Sequence, residues 1–261
     1  MGYLTKALRG FGAAASFLTR IPIPTSNQGP DKGLVWFPVV GSLLGLAIGM
    51  AYALTQAVLP SLVAATLAIA VGAVVTGAFH EDGLADTADA FGGGWSRDDV
   101  HRILKDPRQG TFGVLALVIS SALKIGAFAS LDWLAAVVVL PAAHAFSRSA
   151  AIGLLAFVAP ATGDGLGASY ARSVTRAQVG RTLLIGVAIA GFLLGIWLVP
   201  IAAVAVVLLV LLVRGAVNKA GGLTGDVLGA AQQVVEIAVL LGASAVMTNG
   251  WGTLPWWRAS A

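Results

Sequence analysis

Cysteine is absent from this chain, which excludes disulfides, thiolate metal sites and thiol nucleophiles. Charge is scarce: Asp, Glu, Lys and Arg together make up 11% of residues, against about 25% in soluble domains. The three histidines, His80, His101 and His144, are too widely spaced for a zinc pattern. The Walker lysine motif is missing, so the chain is not a P-loop NTPase, and it has no Ser-x-Gly elbow. A signal peptide is not expected, because Lys6, Arg9 and Arg20 interrupt the early apolar residues and no cleavage-type segment follows. The net charge of +4 comes from loop lysines and arginines and does not point to nucleic acid as a partner.

Hydrophobic residues fill 57% of the 261 positions, and the mean hydropathy is +0.88. These values predict an all-α, polytopic integral membrane protein forming a single domain, residues 1–261. Residues 1–33 form an N-terminal interfacial segment in which Leu4, Leu8, Phe11, Ala15 and Leu18 recur at helical spacing, so 3–19 reads as an amphipathic helix on the membrane surface. Spans are expected at about 35–59, 61–79, 112–130, 133–158 and 232–247, with Pro141 as a kink and Arg148 buried in the fourth. The run 183–213 is broken by Pro200 and reads either as one kinked helix or as a hairpin of two short spans. Counting two gives about seven transmembrane helices, the sixth (201–213) reaching only about 20 Å against a core of roughly 30 Å. Trp251, Trp256 and Trp257 then stand where an aromatic belt would anchor the end.

With seven spans, segments 1–34, 80–110, 160–182 and 214–231 share one side and hold 13 of the 16 lysines and arginines. The positive-inside rule places that side in the cytoplasm. The same side collects ten of the twelve acids, Asp31, Asp98, Asp99, Asp106, Asp164 and Asp226 among them, and the densest glycine clusters.

The other acids of that face lie in HEDGLADTADAFGGG, residues 80–94, which packs Glu81, Asp82, Asp86 and Asp89 into nine positions directly after an apolar run. In a helix, Asp82, Asp86 and Asp89 fall within about 60° of one another, and each like-charge pair costs roughly 0.2–0.5 kcal/mol. A divalent cation would remove that cost, and oxygen-only ligands suit Mg²⁺ or Mn²⁺. Gly83, Gly92, Gly93 and Gly94 permit close approach of a ligand or of another backbone. The plainer alternative is a solvated acidic helix end after a span. Further along, Ser96-x-x-Asp99 is a capping box opening a short helix through His101 to Lys105, ended by Asp106-Pro107. Carboxylates, glycines and cations on one face describe a site for a phosphate ester with Mg²⁺, suited to phosphoryl transfer. His80 borders the acids and is placed to orient a carboxylate or a phosphate, whereas His101 reads as a helix-surface residue and His144 as a span residue. Arg148, at mid-span, must face protein or water, in a structural pairing or a substrate role. Arg172, Arg176 and Arg181 read as topology determinants, with contact to an anionic substrate as the alternative.

The 80–94 stretch, followed by RILKDPRQGTFGV at 102–114, resembles the adenosylcobinamide-GDP ribazoletransferase (cobalamin synthase) family. FLTRIPIP at 17–24 and GGLTGDVLGA at 221–230 extend the resemblance to nearly the whole chain. The chain departs from the family's usual pattern at Ala90-Phe91 and at Pro107, without loss of a charged group. The resemblance implies a multi-pass enzyme of the cell inner membrane, its active site facing the cytoplasm. It would transfer the cobinamide-phosphate group of adenosylcobinamide-GDP to α-ribazole or its 5′-phosphate, releasing GMP, with Mg²⁺ as cofactor. Carried onto this chain, it makes Asp82, Asp86 and Asp89, with help from Asp226, the metal ligands, and gives catalytic roles to these three aspartates, Lys105 and Asp106. His80, Gly92, Gly93, Arg102, Arg108, Arg148, Thr224 and Asp226 are then expected to bind substrate. Expected partners are the two small-molecule substrates and membrane lipid, with self-association or association with other cobalamin-assembly enzymes left open. Two other classes compete. A CDP-alcohol phosphotransferase-like lipid enzyme would show Arg after Ala85, where this chain has Asp86. An ion transporter would carry acids deep in several spans, whereas the formally charged residues within these spans are Lys124, Arg148 and Glu236.

Overall fold

The computed structural model describes residues 3–23, 33–161, 173–254 and 256–257. The expectations for Pro24, Asp31, Asp164 and Arg172 lie outside these residues. Among the described residues the secondary structure is helical, with an isolated bridge between Pro160 and Leu223 and no strand. The helices are α1 (Tyr3–Leu18), α2 (Phe37–Gln56), α3 (Ser61–Thr76), α4 (Phe79–Gly93), α5 (Arg97–Ile103), α6 (Thr111–Ala129), α7 (Trp133–Gly153), α8 (Arg176–Leu194), α9 (Leu198–Lys219) and α10 (Gly225–Thr248). Five segments are long and apolar enough to cross a membrane: Leu34–Gln56, Thr111–Ala129, Trp133–Ala156, Arg176–Lys219 and Gly225–Thr248. Helices α3 and α4, bent by 92° at their junction, make a sixth when taken as one broken span. This is a polytopic all-α membrane protein. Its outer faces are correspondingly apolar, with Leu62, Val74, Val118, Ile119, Val207 and Leu211 exposed.

Helix α7 is the buried centre, and α2 lies against it along a glycine seam. Gly41, Gly45 and Gly49 recur every fourth residue and face the backbone at His144, Leu140 and Ala136 in turn, so the two helices run antiparallel. A Cβ at Gly45 would collide with the Leu140 carbonyl. Small residues at this spacing let backbones touch where lipid supplies no hydrophobic drive for association. Pro141 sits within α7 on this same seam.

The apolar run after Pro60 makes 16 residues of helix, about 24 Å, and ends earlier than the expected boundary at residue 79. Gly77 (φ +69°) and Ala78 (φ +55°) take left-handed conformations, and the chain leaves the elbow as α4. Glycine accepts that conformation freely, but alanine pays about 1–2 kcal/mol for it. Arg20 secures the bend: its N–H donates to Val75 O at 2.8 Å and its side chain lies over Gly77.

The run 183–213 is a hairpin. Leu155 packs in one cluster with Val179 and in another with Ala216. A straight helix would hold those two residues about 55 Å apart. The corner is Gly195 (φ +59°) with the 3₁₀ turn Gly195–Trp197, not Pro200. Pro200 falls in the first turn of α9, where a missing N–H goes unmissed. The sixth arm is therefore 22 residues, about 33 Å, and not the short 13-residue span expected. The expected loop 214–231 shrinks to 220–224, because α9 runs on to Lys219 and Thr224 caps α10 through a hydrogen bond from Val227 N.

At one end of the bundle the connections are tied together. His101 Nε2 meets Ala220 O at 3.0 Å, Lys219 Nζ donates to the carbonyls of Phe91 and Gly94, and Pro160 bridges to Leu223. Lys219 thereby places a cation at the C-terminus of α4, where the helix dipole favours one. Ser96 caps α5 as expected, accepting from Asp99 N at 3.1 Å.

Gly45→Val is expected to lower the thermal midpoint of the detergent-solubilised protein, through an overpacking cost of about 1–3 kcal/mol. Gly126→Ala, whose Cβ would enter open space, should leave the midpoint unchanged or raise it. Scanning fluorimetry on both variants checks the seam.

Candidate active site

Helix α4 leaves the elbow and crosses α10 in direct backbone contact. A Cβ on Gly83 would stand 2.9 Å from Asp226 O and 3.2 Å from the Gly229 Cα. This crossing sets Asp82 beside Asp226. A small cleft opens there, with a cavity volume of about 100 Å³. Its lining includes the polar His80, Asp82, Arg148, Asp226 and Gln232 with Gly83, and the apolar Phe17, Phe37, Phe79, Ile152 and Leu228. Asp86 lies one turn further along α4, where the charges of Asp82, Asp86 and Asp226 repel one another. None of these three forms an ion pair among the described residues.

Asp89 is differently employed. Its two oxygens accept from Gly110 N at 2.7 Å and Gly113 N at 2.8 Å, so the carboxylate caps the start of α6. The helix expected for the acidic stretch is present, but its third aspartate is taken up by backbone amides. The neighbouring Gln109 donates to Asp86 at 3.0 Å, so the 105–110 loop flanks the acid row. On that loop Lys105 is exposed, and Asp106 pairs with Arg108 at 2.7 Å. The Arg108 hydrogen bonds hold the Asp106 carboxyl far below its usual range, at about 2, which makes it a weak base near neutral pH. Arg102 pairs with Asp99 on the exposed side of α5. Gly92 makes room for the Phe112 ring, a Cβ at Gly93 would only touch Ile103, and Thr224 caps α10. The structure thus gathers His80, Asp82, Arg148 and Asp226 in the cleft, keeps Asp86 and Asp89 alongside, and leaves the remaining expected residues outside its lining.

Beneath the cleft lies a charge network that the spacing of residues did not reveal. Glu236 of α10, 5% exposed, meets Lys124 of α6 at 3.0 Å and, on its other oxygen, Arg148 at 3.9 Å and His144 at 3.8 Å. Lys124 also reaches Glu81 of α4 at 3.3 Å. Gln232 donates to Glu236 at 2.6 Å and to Ser147 at 3.0 Å, and Gln233 donates to Glu81 and to Gln232. The signal that could have found this group is the rule that ionisable residues inside spans seek each other. Lys124, Arg148 and Glu236 are the formally charged residues within the expected spans, and they converge, with the span residue His144 beside them. Arg148 joins the network to the cleft, with its Nε left unpaired among the described residues.

Fold and site together define a polytopic membrane protein with an acid-lined cleft at one end of its helix bundle. The model of the cobalamin-5-phosphate synthase family matches residues 10–244. The chain is 41% identical over 245 residues to the adenosylcobinamide-GDP ribazoletransferase of Bradyrhizobium diazoefficiens, covering 89% of this chain and 92% of that protein. The enzymes of the same name from Shewanella frigidimarina and Ralstonia nicotianae are 40% and 38% identical over 248 and 252 residues. Those matches cover 90% and 92% of this chain, and 94% and 96% of the relatives. No solved structure matches. The chain belongs to the cobalamin-5-phosphate synthase family, and with it to the transferases of cobalamin synthesis.

The geometry separates stability from chemistry. Asp89→Ala should lower the thermal midpoint, since two amides lose their acceptor at about 1–3 kcal/mol each. Asp82→Asn and Asp86→Asn should not, because each relieves a repulsion. Glu236→Gln should also lower the midpoint, by about 3–5 kcal/mol, leaving buried Arg148 without its counter-ion and Lys124 with Glu81 alone. Melting curves of the four purified variants test this separation.

Proposed function

We propose that this protein transfers the cobinamide-phosphate group of adenosylcobinamide-GDP to a ribose hydroxyl of α-ribazole or its 5′-phosphate, releasing GMP. The carrying observation is the meeting of Asp82, Asp86 and Asp226 across the α4–α10 crossing, with Arg148 in the same cleft. Mg²⁺ suits this donor set, which is all oxygen, mutually repelling and without an ion-paired cation among the described residues. Among the described residues no three His, Cys, Asp or Glu side chains lie close enough together to hold a metal ion by themselves. Mg²⁺ needs no such set when it keeps water and shares one or two carboxylates with substrate phosphates. Asp82 and Asp86 would hold the ion, which when bound neutralises phosphate charge, leaving the neighbouring Asp226 for proton transfer.

Arg148, which lines the cleft, would set its positive charge beside the phosphate, and the network below keeps its guanidinium in place. The acceptor's hydroxyl oxygen attacks the phosphorus on the cobinamide side and the P–O bond to GMP breaks. The hydroxyl proton passes to a carboxylate. With Asp89 occupied by amides and Asp106 a weak base, Asp226, which lines the cleft beside Asp82, would take it. Lys105, exposed on the loop beside the acid row, stands where a departing GMP can be neutralised. Crowding of lysine and arginine at the site's end of the bundle supports an inner-membrane location with the cleft open to the cytoplasm.

Purified protein should release GMP from adenosylcobinamide-GDP and α-ribazole with Mg²⁺, and stop on addition of EDTA. Asp82→Asn and Asp86→Asn should each lose at least about 100-fold in rate, in the range of losing one charge-stabilising group. Near wild-type GMP release from either variant would overturn the assignment.

A further inference from the structure

The polar residues of the cleft account for phosphate and cation, but the aromatic part of its lining remains without a task. Phe17 of α1 and Phe37 of α2 stack with ring centres 5.4 Å apart and planes 23° apart. Phe79 of α4 meets Phe17 edge-on at 5.4 Å, and His80 meets Phe79 at 5.2 Å. Three helices distant in sequence thus bring their rings to one cleft, directly before Asp82 on α4.

We propose that this wall is the subsite for the acceptor's base, a flat, apolar, bicyclic aromatic ring carried on ribose. The inference rests on the transferase reading above and assigns the acceptor's place within it. Guanine and a corrin rimmed with amides carry hydrogen-bonding edges that phenylalanine rings cannot satisfy. A benzimidazole-type base has no exocyclic donor and offers two faces and two edges to aromatic neighbours, which suits a wall of phenylalanines. Because Phe79 and His80 immediately precede the acid row, a base held there directs its ribose toward Asp82, where the hydroxyl must react.

The test is steady-state kinetics on the detergent-solubilised protein carrying Phe17→Ala, Phe17→Leu and Phe17→Tyr. The KM for α-ribazole should rise about tenfold in the Ala and Leu variants, the scale of losing one aromatic pair, with kcat and the KM for adenosylcobinamide-GDP within about twofold of wild type. Phe17→Tyr, which keeps the ring, should restore the acceptor KM. Should Phe17→Ala fail to fold, Phe79→Leu at the partly exposed mouth of the cleft carries the same comparison. In parallel, free 5,6-dimethylbenzimidazole should inhibit the wild type competitively against acceptor. An unmoved acceptor KM, an equal rise in donor KM, or inhibition competitive with donor overturns the proposal. So does a change confined to lipid dependence, which would mark the wall as a seat for an acyl chain. The two readings fail separately. Wild-type protein that binds α-ribazole by thermal shift, with the shift lost in Phe17→Ala, yet releases no GMP sinks the activity and leaves the subsite standing. Protein that turns over with unmoved acceptor KM in the variants sinks the subsite alone.

Discussion

One carboxylate, Glu236, buried among Lys124, Arg148 and His144, is the constraint on which this bundle depends. In a low-dielectric interior an isolated charge is prohibitive, so each member of the group dictates where the others must be. Through Glu81 and the two glutamines the group fastens α4, α6, α7 and α10 at one level. An ion path would need acids spread along several helices. Here the charges satisfy one another, and only Arg148 reaches out into the cleft.

Above that level the backbone does the positioning. The left-handed pair Gly77 and Ala78 turns the apolar rise of α3 into the transverse run of α4. Gly83 and Gly229 then let α4 and α10 touch without intervening side chains. The repulsion among Asp82, Asp86 and Asp226 is a direct result of that contact. Among the described residues no cation is ion-paired with these three carboxylates, so their mutual repulsion is not offset by a side chain. Asp89, the fourth acid of the row after Glu81, Asp82 and Asp86, is spent on holding α6 and the flanking loop against α4.

Much of this was legible in the chain. Sparse charge and long apolar runs predicted an all-α membrane protein, because lipid admits only segments that satisfy their own backbone. The 80–94 stretch announced a helical acid row, because aspartates three and four residues apart share a face. The Ser96 cap followed from side-chain chemistry alone. Pro200 misled, since proline breaks a helix only beyond its first turn, and the chain doubles back at Gly195 instead. Glu236 stood out in the sequence as a charge within a span, but its partnership with Lys124 and the role of Gln232 emerged only once α6 and α7 were set beside α10.

What the sequence determined by itself is local: which segments are helical, which are apolar enough for lipid, and that four acids crowd one short stretch. Periodicity and composition act over a few turns and carry that much. Only the tertiary structure decided which acids face the cleft and which cap a helix, that residues 124, 148 and 236 share one charge network, and that phenylalanines from α1, α2 and α4 form a single wall. Those outcomes depend on how closely helices approach, and close approach is set by pairs such as Gly83 with Gly229, some 150 positions apart in the chain, whose partnership no local pattern records.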